Sequence, residues 1–136
     1  VEGLDMHRIE QTQYGFKLVF EGFLQKQDLS TLLDDMKQTV FSRGRKFPVL
    51  MDMRLSRAFP TDAQEILKEA IRFFKQVGME RNAVVLNSAI ATLQARRLGK
   101  ETGIDAASRY IDASTQQNWE KVALDWLVRA VDPDVN

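Results

Sequence analysis

Between Tyr14 and Gly22 the chain alternates, with Phe16, Leu18 and Phe20 on one side and Lys17, Val19 and Glu21 on the other. A period of two marks a strand covered on one face. Met6 to Glu10 repeats the pattern more weakly, and Gln11-Thr12-Gln13 separates the two segments, so a hairpin is predicted. The period then changes. Leu29, Leu32, Leu33, Met36 and Val40 follow helical spacing along one stripe. Asp28 is the expected N-cap, and Ser42-Arg43-Gly44-Arg45 the expected stop, with Gly44 just past the last turn.

Phe47 to Met53 is nearly continuous apolar sequence, the pattern of an interior strand buried on both faces, with Pro48 at its start. A loop from Arg54 to Pro60 is expected next. Thr61-Asp62-Ala63-Gln64 reads as a capping box opening a helix that turns Ile66, Ala70, Phe73, Phe74 and Val77 inward and stops at Gly78. Ala83 to Leu86 predicts a second buried strand. Asn87 or Ser88 caps a helix whose apolar side, Ala91, Ala95 and Leu98, is narrow and built largely of small residues. Gly99 and Gly103 weaken the end of that helix. Arg109-Tyr110-Ile111 predicts an edge strand, and Ser114 with Gln117 a further capping box. The last helix carries Trp119, Val122, Ala123, Trp126, Leu127 and Ala130, and Asp132-Pro133-Asp134 ends it. The order β-β-α-β-α-β-α-β-α implies parallel crossovers beside one antiparallel hairpin, hence an α/β fold on a mixed sheet of about five strands.

Composition narrows this picture. The 136 residues suit one domain. Nineteen basic residues balance nineteen acidic ones, which argues against a surface built on many phosphate contacts, so no nucleic-acid partner is expected. The absence of cysteine removes thiolate nucleophiles and Cys-ligated zinc. No apolar run reaches the length of a membrane span, and Val1 to Asp5 does not look like a signal peptide, so a cytoplasmic location is expected.

Candidate chemistry is sparse. His7 is the single histidine and is expected in solvent near the N-terminus. One imidazole without neighbours makes no triad. Asp34 and Asp35 face water by the helical phase, and no metal or cofactor site is expected. Neither GxGxxG nor GxxxxGK[ST] occurs. The basic clusters Arg43, Arg45, Lys46 and Arg96, Arg97, Lys100 read as solvated helix ends. Asp52 stands at the carboxyl end of the central strand, where open α/β sheets place their sites. The segment Arg54 to Asp62 leaves that strand and enters a helix. Asp52, Arg54, Ser56, Arg57, Thr61 and Asp62 therefore form a candidate binding loop. Thr61 is a candidate phosphoacceptor, because a phosphate at a helix start is electrostatically favoured, and Ser56 in the preceding loop is a second candidate. A second reading is a carrier for a small apolar ligand or lipid, with Phe73, Phe74, Trp119 and Trp126 around it and small residues of the third helix leaving room.

The strand Phe47–Met53 with Asp52, the loop into a helix, the Arg81-Asn82-Ala83-Val84-Val85 strand and the closing Trp119–Leu127 helix together resemble the STAS-like, SpoIIAA-like proteins over about residues 14–130. The resemblance implies one STAS-like domain across 1–136, with helices mainly on one side of the sheet. It also implies a non-enzymatic regulatory role in binding a protein partner. Apart from the resemblance, an edge strand of the sheet or the exposed side of the first hairpin is an option for a homodimer contact. Anti-sigma factor antagonists of this kind carry a phosphorylated serine at a helix start. That serine corresponds to Asp62, which cannot take a phosphate, so the chain is similar to the divergent, uncharacterised branch.

Overall fold

The computed structural model describes residues 6–40 and 45–135. Its first elements are β1 (Met6–Gln11) and β2 (Phe16–Gly22), paired antiparallel, with Ile9 opposite Leu18. The turn between them is held by the Thr12 amide donating to Gly15 O at 2.8 Å. Then follow α1 (Lys26–Thr39), β3 (Phe47–Ser56), α2 (Thr61–Val77), β4 (Met79–Leu86), α3 (Ala89–Thr102), β5 (Ser108–Asp112) and α4 (Trp119–Arg129). A short 3-10 turn, Asp105–Ala107, precedes β5. The strands lie side by side in chain order, β1-β2-β3-β4-β5, and every pair after the first is parallel.

That order decides where the helices go. Successive right-handed crossovers advancing in one direction place α1, α2 and α3 on the same face. Phe16, Leu18, Phe20, Val49, Met51 and Val84 point into the core beneath them. The alternate residues Leu50, Ala83, Val85 and Ile111 face the other way and are covered by α4 through Ala123, Trp126 and Leu127. The expected element order and mixed sheet are thus present, with three of the four helices on one side.

Several local expectations shift. Asp28 is not the N-cap of α1. Gln25 is, and the Asp28 carboxylate reaches back to accept its amide at 2.8 Å. The expected stop at Ser42, Arg43 and Gly44 lies outside the described residues. β3 runs on to Ser56, because its pairing continues through Gly22 opposite Ser56, so the following loop is only Arg57 to Pro60. Pro60 takes the cap position of α2, which makes Thr61 the first helical residue instead of the cap. In place of a capping box, Gln64 Nε2 donates to Phe59 O at 3.0 Å. Ser88 does cap α3, accepting the Ala91 amide at 3.1 Å. Gly99 does not end that helix. Gly103, at φ +77°, does. Ser114 binds Asp112 inside a turn, and α4 starts only at Trp119. Hydrogen bonds local to Asp112 compete with the helix there.

Candidate functional site

The carboxyl ends of β2, β3 and β4 form one end of the molecule, as their parallel pairing requires. The short loop after β3 is tied across it, the Arg57 amide donating to Gly22 O at 2.9 Å. The six binding-loop residues do not form one surface. Asp52 and Arg54 project toward the α4 side. Arg54 donates through Nε to Asp52 Oδ1 and through Nη2 to Oδ2, both at 2.9 Å, and its amide donates to Oδ1 at 3.2 Å. The guanidinium stacks on the Trp119 ring at 4.1 Å from its centroid. Burial pushes the Asp52 pKa up, but these hydrogen bonds outweigh it and hold the carboxyl below its usual range. Asp52 is therefore a committed ion-pair partner for Arg54. Ser56, Arg57, Thr61 and Asp62 stay at the loop. The Ser56 hydroxyl donates to Arg57 O at 2.9 Å, while Thr61 and Asp62 are exposed on the first turn of α2.

A different feature dominates this end. A cavity of about 450 Å³ lies over β3 and β4, between α2 and α3, within the range of small-molecule sites. Met51, Met53, Leu67, Ile71, Val84 and Leu98 give it mainly apolar walls. Arg57, Ala58 and Phe59 of the loop and Asn87, Ser88 and Ala91 at the start of α3 also border it. The sequence anticipates room beside the third helix but not these walls around it. Its signal is the small face of α3, where Ala91, Ala95 and Gly99 all line the space.

The four aromatic residues expected around a ligand are not brought together. Phe74 is fully buried beneath α2 against Phe47, and neither it nor Phe73 lines the cavity. Trp119 and Trp126 belong to the α4 face, across the sheet. Trp126 Nε1 donates to Asn82 O at 3.1 Å, a framework role. The structure thus corrects that lining set, because α4 packs on the opposite side from α2 and α3.

His7 departs from expectation too. It is half-buried, and burial lowers its pKa against the opposing pull of Asp35 and Asp28 on α1. Among the described residues no group of three or more His, Cys, Asp or Glu stands where it would hold a metal ion, and no helix is long and apolar enough to cross a membrane.

Around the same end of the sheet, large apolar side chains face solvent. Leu55 at the end of β3 is 65% exposed, and Ile90 and Leu93, one turn apart on α3, are 70% and 67% exposed.

No protein-family model and no curated protein matches the chain. Among solved structures it is similar to an uncharacterised protein of the DUF3478 family with a SpoIIAA-like fold from Shewanella loihica PV-4. The two share 18% identity over 90% of this chain and 92% of that one, with a TM-score of 0.63. The chain has the SpoIIAA-like fold.

Proposed function

We propose that this domain is a non-enzymatic regulatory module that binds a protein partner at the carboxyl end of its parallel strands. The observation that carries this reading is the exposure of Ile90 and Leu93, one turn apart near the start of α3, which borders the same cavity as the loop Arg57 to Pro60. Exposed apolar side chains gathered at one end of a domain mark interaction surfaces. The SpoIIAA-like fold supports a regulatory role by analogy of architecture. Thr61, exposed at the first turn of α2, is the better placed phosphoacceptor, since the Ser56 hydroxyl is already engaged with Arg57 O.

The test is affinity capture from source lysate, with and without ATP, using the wild-type domain and an Ile90→Asp/Leu93→Asp variant. A specific protein held by the wild type and lost from the variant is the expected result. A partner held equally by both moves the surface elsewhere. Phosphate incorporated at Thr61 in the ATP arm identifies the switch, and incorporation elsewhere removes it from this loop.

A further inference from the structure

The cavity between α2 and α3 has an unbalanced charge. The whole chain carries equal numbers of acidic and basic residues, yet the cavity is bordered by the side chains of Arg57 and Arg97 and by no carboxylate. The Arg54 guanidinium is spent on Asp52 and Trp119. Arg57 and Arg97 are exposed, and neither guanidinium has a carboxylate partner among the described residues. The remaining walls are mainly the apolar side chains of β3, β4, α2 and α3.

We propose that this cavity binds a small anionic amphiphile, a medium-chain carboxylate with an apolar body against Met51, Leu67, Ile71 and Val84 and its head toward Arg57 and Arg97. The guanidinium fork matches a carboxylate in geometry as well as charge. The volume suits a single small ligand. Ala91 and Ala95 leave the room along α3 that a larger residue would fill. This inference stands on the cavity and is independent of the partner surface argued above.

Calorimetric titration with octanoate, octan-1-ol and acetate tests it. Octanoate should bind saturably, octan-1-ol about tenfold more weakly, and acetate not at all. An Arg57→Ala/Arg97→Ala variant should bring octanoate down to the octan-1-ol level while leaving octan-1-ol unchanged. Ala95→Trp should abolish both by filling the space, with circular dichroism to show that the variant is folded. Should it not fold, Ala91→Phe closer to the start of α3 serves the same purpose. Absence of saturable octanoate binding, equal affinity for acid and alcohol, or undiminished binding in a folded cavity-filling variant overturns the proposal.

Discussion

The Tyr110 side chain reaches across from β5 until its hydroxyl occupies the space that a Cβ at Gly99 of α3 would need. The hydroxyl is buried and makes no hydrogen bond among the described residues. Burial raises its pKa, and Ser108 is near enough to oppose that rise slightly, but the Ser108 hydroxyl is engaged by Asn82 Nδ2 at 3.2 Å. A glycine inside a helix costs stability in isolation. Here it sets the spacing between α3 and the sheet.

Gly99→Ala is therefore expected to destabilise the domain by about 1–3 kcal/mol, as overpacking does. Tyr110→Phe removes an unpartnered polar group and should be nearly neutral. The double variant should recover most of the loss, a coupling that urea denaturation of the four proteins would read directly. Simple additivity would show that the contact is not what selects glycine.

Arg54→Ala strips the buried Asp52 carboxylate of its guanidinium and takes the cation off Trp119, at an expected cost of about 1–3 kcal/mol. Since the folded pKa of Asp52 lies below its ordinary value of 3.8, the contribution is present above that value. It is lost as pH falls through the folded pKa. In Asp52→Asn this acid-side loss should shrink, as measured by denaturation at a series of pH values.

At the other end of the sheet, Arg109 of β5 donates through Nε and Nη2 to the two oxygens of Asp132, each at 2.7 Å, and lies over the Trp126 ring at 4.2 Å. The hydrogen bonds from Arg109 and from the Asp134 amide lower the Asp132 pKa to about 2. Asp132→Asn should lower the melting temperature at neutral pH. The gap from wild type should close as pH falls from the ordinary 3.8 towards about 2. A gap that persists at that acidity would assign the effect to shape and not to charge.

His7 titrates with the same sign for a different reason. Half-burial keeps the folded imidazole neutral to lower pH than in the unfolded chain. Stability should therefore fall as the solution is acidified below the ordinary value of 6.5. His7→Gln should flatten that slope, and proton NMR of the imidazole would give the folded pKa itself.

A negative charge at the start of α2 meets the positive end of the helix. Thr61→Glu, which imitates phosphorylation there, should raise stability by about 0.3–1 kcal/mol at low salt, with the gain screened as salt is added. Thermal melts at two ionic strengths check this. A loss of stability would mean that Thr61 makes a contact more valuable than the charge.

Much of the architecture was legible from local pattern. The alternation at Phe16, Leu18 and Phe20 and the stripe at Leu29, Leu32, Leu33 and Met36 are both present as read, because burying one face imposes its own period. Element ends were less legible. β3 outran its apolar run to Ser56 because pairing with β2 continued past it, and Pro60 displaced Thr61 from the cap. Thr61 and Asp62 could be placed at a helix start from sequence, but the separation of Asp52 and Arg54 from them could not.

The sequence by itself determined the order of strands and helices, the antiparallel start and the parallel remainder, since periodicity and crossover handedness act on neighbouring segments. Only the tertiary structure decided that α4 crosses to the opposite face, which sets Trp119 against Arg54 and takes both tryptophans away from the other helices. It also decided which residues surround the room left by the small side chains of α3, with Arg57 and Arg97 at its edge. Those relationships join residues far apart in the chain, and no local pattern carries the distance between two packed faces.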